Sequence, residues 1–177
     1  MLKTFYFNPY RECTYVLTDD AKHAIIIDAG MYEAREQERF AEHIQKEQLE
    51  VVALLITHAH PDHVCGLEFL EKNYDLKAIV RPTEGPLDIP FFNIQVIATP
   101  GHKEDCVCYY LPEEKILFTG DTLFQESIGR TDLPGGDMGT LIHSLNKLVV
   151  LPDDTQVYPG HGYPTTIGHE KQYNPYI

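Results

Sequence analysis

An apolar run at residues 51–56 ends directly in a segment that carries three imidazoles and one carboxylate within six positions. The run is continuous rather than alternating, which is typical of a strand covered on both faces. The segment that follows, residues 57–63, reads Thr-His-Ala-His-Pro-Asp-His. A loop at the end of a rigid strand holds its side chains in place, so this pattern favours a functional site over a solvated turn.

The ligand types in this segment indicate a metal site. Neutral imidazole and carboxylate groups suit zinc, and also iron or manganese. His58 and His60 stand at alternate positions and can point to one metal, whereas the adjacent pair Asp62 and His63 can turn toward a second.

Three further candidate ligands follow predicted strands and stand beside a glycine. His102 comes after the predicted strand at 91–98, Asp121 after that at 116–119, and His161 after that at 156–158. Glycine lets the backbone turn sharply and approach a metal closely. Ligand-bearing loops at four strand ends predict a cavity at one edge of a sheet.

The remaining pattern predicts a layered α/β domain. Further strands are predicted at residues 5–7, 13–18, 24–27, 77–80 and 106–111. Apolar spacing predicts a helix at 33–47, a second with Val64, Leu67, Leu70 and Tyr74 on one face, and a third that contains Met138, Leu141, Leu145 and Leu148, with Asp137 as its cap. Several consecutive strands in each half favour sheets packed together with helices outside, in one domain over residues 1–177.

Charge and composition exclude several classes of partner. The chain has 14 Lys and Arg residues against 27 Asp and Glu residues, a net charge of −13, which repels phosphate backbones and excludes nucleic acid. The longest apolar run is too short to span a membrane, and residues 1–5 lack the apolar core of a secretory signal. We therefore expect a cytoplasmic protein without a membrane partner.

The four cysteines form no Cys-x-x-Cys pair, so they predict reduced thiols. Packing in the core is expected for Cys13, Cys106 and Cys108. Cys65 follows the histidine segment by two residues, and we favour packing over a reactive thiol for it as well.

The ordered set His58-x-His60-x-Asp62-His63, His102, Asp121 and His161 resembles the metal motif of the metallo-β-lactamase superfamily. This resemblance implies an αββα sandwich, in which two mixed β-sheets pack face to face with helices outside. It also implies two divalent metal ions per chain, with zinc favoured and iron or manganese as alternatives. By the resemblance, His58, His60 and His102 bind one metal; Asp62, His63 and His161 bind the other; and Asp121 bridges the two. Asp28, in the turn at 27–30, is expected to support the metal loops or its own turn rather than to bind metal.

Within the superfamily, the chain is most similar to small glyoxalase II-type thioester hydrolases. The similarity lies in Gly129-Arg130-Thr131-Asp132, in residues 151–155, in Gly160-His161-Gly162 and in Asn174-Pro175. It implies cleavage of a small-molecule thioester, such as a hydroxyacylglutathione, by attack of metal-bound hydroxide. Asp62 would orient the nucleophile and receive its proton.

Two residues are expected to contact substrate by the same resemblance. Arg130 matches a basic residue that contacts glutathione, and Tyr163 matches a tyrosine in the same role. The alternatives are an ion pair of Arg130 with Asp132 or Asp137, and simple packing for Tyr163. The charged residues 103–105 depart from the small hydroxyl residue and glycine that the family shows after this histidine.

A different class of enzyme shares part of the pattern. Persulfide dioxygenases have the same Gly-Arg-Thr-Asp element and would use His58, His102 and Asp121 to hold one iron. Two histidines and one carboxylate leave open positions for oxygen and substrate, so this chemistry is physically sound. A metal-binding module without catalysis is a third hypothesis, disfavoured because every catalytic position is filled.

Overall fold

The computed structural model describes residues 1–177 and contains two mixed β-sheets with helices. The chain divides into two compact units. The first comprises Met1–Val80 and Ile89–Phe91, and the second comprises Arg81–Asp88 and Phe92–Ile177. One domain over residues 1–177 therefore stays a prediction.

A five-stranded sheet forms the first unit, with its strands in sequence order. The strands are β1 (Leu2–Phe7), β2 (Glu12–Thr18), β3 (His23–Ile27), β4 (Glu50–Ile56) and β5 (Ile79–Val80). The first three strands pair antiparallel, and β3, β4 and β5 pair parallel. The last four residues of β4 are buried, as the continuous apolar run predicts.

Three helices accompany this sheet: α1 (Ala34–Glu47), α2 (Pro61–Val64) and α3 (Leu67–Tyr74). The predicted apolar face of α1 is confirmed, since Phe40 and Ile44 are buried. The predicted second helix is confirmed over Leu67–Tyr74, but its start is wrong: Val64 lies in α2, because the helix is interrupted at Gly66. The Gly66 N–H donates to the Ala29 carbonyl at 2.8 Å, and a Cβ atom on Gly66 would lie 2.1 Å from the sulfur of Met31.

The second unit contains a six-stranded sheet in the order β13-β12-β9-β8-β7-β6 and a two-stranded ribbon. The sheet strands are β6 (Gly85–Ile89), β7 (Phe92–Ala98), β8 (Val107–Leu111), β9 (Ile116–Gly120), β12 (Gln156–Pro159) and β13 (Thr165–Thr166). The ribbon pairs β10 (Leu123–Phe124) with β11 (Ser127–Ile128). Strands β9 and β12 run parallel, so their carboxyl ends lie together: the Gly160 N–H donates to the Gly120 carbonyl at 2.7 Å.

Two helices complete this unit, α4 (Met138–Leu148) and α5 (Ile167–Tyr173). The predicted face and cap of α4 are confirmed: Leu141, Leu145 and Leu148 are buried, and Asp137 accepts a hydrogen bond from the Thr140 N–H at 2.7 Å. Sequence reasoning missed α5, which Thr166 caps through its hydroxyl oxygen. None of the helices in either unit is both long enough and apolar enough to pass through a bilayer.

Gly101 offers a test of this packing. Its φ is +137°, and a Cβ atom there would lie 2.4 Å from the Leu141 backbone. We expect Gly101→Ala to lower the free energy of unfolding by at least about 2 kcal/mol, because both backbone strain and a backbone clash oppose the methyl group. Urea denaturation at constant metal concentration measures the change.

Gly139→Ala is the matched control. Gly139 lies in α4, where an added Cβ meets only an Asp137 carboxylate oxygen at 3.5 Å. Alanine there is expected to stabilise the protein by up to about 1 kcal/mol, because glycine loses more conformational freedom in a helix. Equal unfolding free energies for the two variants would contradict the packing described at Gly101.

Candidate metal centre

The histidine segment begins where β4 ends, and its first imidazole is held by a hydroxyl. The Thr57 hydroxyl donates its one proton to Asp28 Oδ2 at 2.8 Å and lies 3.1 Å from His58 Nδ1. The hydroxyl oxygen therefore accepts from His58 Nδ1, so Nε2 is the nitrogen of His58 that could act as a metal ligand. That atom lies 3.0 Å from His60 Nδ1, so two ring nitrogens of the predicted set come together.

Asp28 organises the other half of the segment. This buried carboxylate accepts from the Thr57 N–H at 2.7 Å, and its Oδ2 lies 2.8 Å from His63 Nδ1. His63 Nδ1 therefore donates to Asp28, and His63 Nε2 faces Asp62 Oδ2 at 3.9 Å. Asp28 supports the metal loops as expected, and its backbone adopts a left-handed φ of 62°, which aspartate tolerates better than most residues.

Sequence reasoning missed Glu12, a fully buried carboxyl group beside this pair. The nearest ligand atoms of Glu12, Asp28 and His63 lie within 4.8 Å of one another. Glu12 Oε2 accepts from the Thr14 hydroxyl at 2.8 Å. Burial raises the pKa of Glu12 well above its ordinary value. A glutamate that opens an apolar strand is the only signal in the sequence for this group.

In the second unit, two predicted ligand histidines lie around the carboxylate of a third predicted ligand, Asp121. His102 Nδ1 donates to the Arg130 carbonyl at 2.7 Å, which leaves its Nε2 at 3.5 Å from Asp121 Oδ2. His161 Nε2 lies 3.7 Å from the same oxygen. The parallel strands β9 and β12 account for this arrangement, because Asp121 and His161 each follow one of them.

The surroundings of Gly129 explain why the Gly-Arg-Thr-Asp element begins with a glycine. A Cβ atom on Gly129 would lie 1.9 Å from the Asp121 carbonyl oxygen and 3.1 Å from His102 Cβ. Any side chain here would push against two predicted ligands. The element therefore acts on the predicted ligands through its backbone. Gly129 leaves space for Asp121 and His102, and the Arg130 carbonyl orients His102.

The Arg130 side chain forms the ion pair that we considered as an alternative. Its guanidinium donates two hydrogen bonds of 2.7 Å to Asp132, and both side chains are exposed. This pairing lowers the pKa of Asp132 to about 2. Asp137 is not the partner, since it caps α4. Contact between Arg130 and substrate stays a prediction.

Tyr163 does not pack in the core, and the charged segment after His102 contains an ion pair. Tyr163 is 75% exposed, so the packing alternative is wrong, and substrate contact stays a prediction. Lys103 Nζ lies 2.7 Å from the buried carboxylate of Asp105. The charged segment therefore contains an internal ion pair between Lys103 and Asp105.

Three of the four cysteine thiols are buried, and one is exposed. Cys13, Cys106 and Cys108 are buried, as expected, and burial raises the pKa of Cys108 to about 11. The packing prediction for Cys65 is wrong, because this residue is exposed. Partial desolvation nevertheless raises the pKa of its thiol, which opposes formation of a reactive thiolate.

Comparison with known proteins decides the family. The model of the metallo-beta-lactamase superfamily matches residues 11–95 and 87–161. The chain belongs to this superfamily. A hydroxyacylglutathione hydrolase, GloC of Haemophilus influenzae, is 36% identical over 196 residues, with 92% of this chain and 91% of that protein covered.

Solved structures confirm the predicted fold class of this superfamily member. BLEG-1, described as a B3 metallo-beta-lactamase, matches with a TM-score of 0.92 and 34% identity, and 99% of each chain is covered. TTHA1623, crystallised in a di-iron-bound form, matches with a TM-score of 0.86 and 33% identity over 99% of this chain and all of that one. The superfamily binds metal ions, and the clustered histidine and aspartate side chains are of the kind that hold them.

Asp28 provides the test of how the ligands are held. Asp28→Asn replaces one acceptor oxygen by an amide group, so it cannot accept from the Thr57 N–H, the Thr57 hydroxyl and His63 Nδ1 together. We expect metal affinity to fall by about 10- to 100-fold, as is usual when the group behind a ligand histidine is changed. Competition with a chromophoric chelator measures the affinity.

The chain contains a matched control for this substitution. Asp19 Oδ2 also lies 2.7 Å from a histidine Nδ1, that of His23, which is not a predicted ligand. Asp19→Asn should leave metal affinity unchanged. If Asp28→Asn binds metal as tightly as Asp19→Asn does, the supporting role of Asp28 is refuted.

Proposed function

We propose that this protein is a binuclear metal-dependent hydrolase that cleaves a small-molecule thioester such as a hydroxyacylglutathione. The observation that carries the proposal is the state of three predicted ligand imidazoles. His58, His63 and His102 each donate through Nδ1 to a protein oxygen, which fixes the tautomer and leaves Nε2 for a metal. Histidines that bind a metal almost always donate their other ring N–H to such an oxygen.

The proposed ligand sets follow the family motif. His58, His60 and His102 would hold one metal, Asp62, His63 and His161 the other, and Asp121 would bridge them. The donors are nitrogen and carboxylate oxygen without thiolate, a set that suits zinc and equally iron or manganese. The di-iron-bound form of TTHA1623 supports the count of two.

When bound, the two metals would lower the pKa of a water molecule toward neutrality and polarise the thioester carbonyl. The chain supplies orientation and a proton acceptor. Asp62 is partly exposed and faces His63 Nε2, so its carboxylate can orient the attacking water and take its proton. A thiol leaving group has an ordinary pKa of about 8.5, so it can depart as thiolate without a separate acid.

The substrate assignment rests on the relatives and on two exposed side chains. The name of the GloC relative supports a glutathione thioester. Arg130 and Tyr163 are exposed, as contact with a carboxylate-bearing thiol requires. Action in the cytoplasm also remains part of this proposal.

The second candidate is a mononuclear iron persulfide dioxygenase that uses His58, His102 and Asp121. The Gly-Arg-Thr-Asp element is compatible with this activity as well, since persulfide dioxygenases share it, and Gly129 lies against His102 and Asp121, two of the three residues that would hold the iron. Oxygen uptake with sulfite formation would identify this activity, whereas release of a thiol without oxygen uptake identifies the hydrolase.

Elemental analysis combined with Asp121→Asn tests the centre. Protein purified without added metal should contain about two metal ions per chain, and Asp121→Asn should lower both metal content and thioester hydrolysis, the latter by at least about 100-fold. Asp154→Asn is the control, because Asp154 forms only an exposed ion pair with Lys115. About one iron per chain would favour the dioxygenase, and unchanged metal content in Asp121→Asn would refute the bridging role.

Acidification should release the metals and abolish activity together. Ligand histidines must be neutral, so protons compete with the metals as the pH falls through about 6. Metal retained after gel filtration and thiol release, measured at each pH, should decline in parallel. Full metal content at pH 5 would contradict a histidine-rich centre.

A further inference from the structure

A cavity of about 330 Å³ in the first unit lies directly beside Asp62. We name it the hairpin pocket; its lining includes Pro9, Tyr10, Tyr32, Pro61, Asp62 and Cys65. Tyr10 is 73% exposed and Tyr32 is 67% exposed, so both rings border the pocket rather than fill the core. A cavity of this size holds a small ligand group.

One carboxylate holds the two tyrosine-bearing segments in place. Glu36 Oε1 accepts from the Asn8 N–H at 3.0 Å, and Glu36 Oε2 accepts from the Tyr32 N–H at 2.8 Å. The Tyr10 N–H donates to Asn8 Oδ1 at 3.0 Å. The turn between β1 and β2 and the segment before α1 are therefore fixed by the same group, and the pocket is preorganised.

The Asn8 side chain ties this pocket to the loop of predicted ligands. Its amide donates to the Gly30 carbonyl and to the Asp62 carbonyl, each at 3.0 Å. The Cys65 thiol donates to the Gly30 carbonyl at 3.2 Å. A group seated between the tyrosines is thus held at a fixed place relative to Asp62.

The lining selects an uncharged, apolar group. Two tyrosines and two prolines present ring surfaces, and no lysine or arginine lines the pocket. The carboxylates of glutathione therefore have no cationic side chain to pair with in this pocket. The acyl side of a thioester lacks those carboxylates, and an aromatic ring on it could stack against tyrosine.

We propose that the hairpin pocket binds the acyl group of the substrate and that it selects acyl groups that carry an aromatic ring. This inference rests on the proposed function, since it assigns the acyl half of the thioester. It makes Tyr10 and Tyr32 specificity-determining residues. A lactoyl group, which has only a methyl group, leaves most of the pocket unused.

Two thioesters of the same thiol test the assignment in the metal-loaded protein. S-Mandeloylglutathione differs from S-lactoylglutathione by a phenyl group in place of the methyl group. We expect kcat/KM to favour the mandeloyl thioester by about tenfold or more, and Tyr10→Ser and Tyr32→Ser each to lower this ratio by about tenfold. Tyr6→Ser should preserve the ratio, because Tyr6 is an exposed tyrosine of β1 that does not line the pocket.

The outcomes separate this inference from the proposed function. If both thioesters are hydrolysed and the ratio is the same in wild type, Tyr10→Ser and Tyr32→Ser, the pocket assignment is overturned and the hydrolase stands. If neither thioester is hydrolysed, the proposed function fails, and a binding experiment then tests whether the pocket accepts an aromatic acyl group. Mandelamide, but not lactamide, should then shift the ring NMR signals of Tyr10 and Tyr32, which the two serine variants identify. Absence of those shifts overturns the assignment.

Discussion

Commitment of three predicted ligand imidazoles, those of His58, His63 and His102, to a second hydrogen bond is the constraint on which the candidate centre depends. A histidine has two ring nitrogens, and only a partner on one nitrogen decides which of them faces a metal. Asp28 provides that partner for His63 and, through Thr57, for His58. The Arg130 carbonyl provides it for His102. The buried carboxylate is held in turn by the Thr57 N–H, so β4 and the turn after β3 act as one support.

In the second unit, close contacts between backbone segments bring the predicted ligands together. The parallel pairing of β9 and β12 places Gly120 against Gly160, and the residues that follow these strands become neighbours. Gly129 then allows its own chain segment to touch the Asp121 carbonyl, where a Cβ atom would not fit. The conspicuous charged residue of that segment, Arg130, orients a ligand through its carbonyl oxygen and not through its charge.

The parts of the structure that were predictable from sequence have a strong local signal. The predicted ligands follow strand ends, three of them directly after a glycine, and α1 and α4 show regular apolar spacing, so these elements lie where the pattern indicates. The break at Gly66 depends on a hydrogen bond to Ala29 and on contact with Met31, which local spacing does not reveal. Two-residue strands such as β10 and β11 are too short for any periodicity. Glu12 was missed because burial of a carboxyl group depends on tertiary packing.

The net charge of the protein affects which half of the proposed thioester can contribute to binding. With a net charge of −13 before any metal is bound, the protein repels an anionic thiol such as glutathione. Arg130, the predicted cation for substrate, donates from Nε and one Nη to Asp132, so part of its charge is already paired. Uncharged contacts would add binding energy for the proposed thioester without opposing this charge. The hairpin pocket beside Asp62 offers such contacts, and Glu36 holds its two tyrosine-bearing segments in place by accepting from the Asn8 and Tyr32 N–H groups.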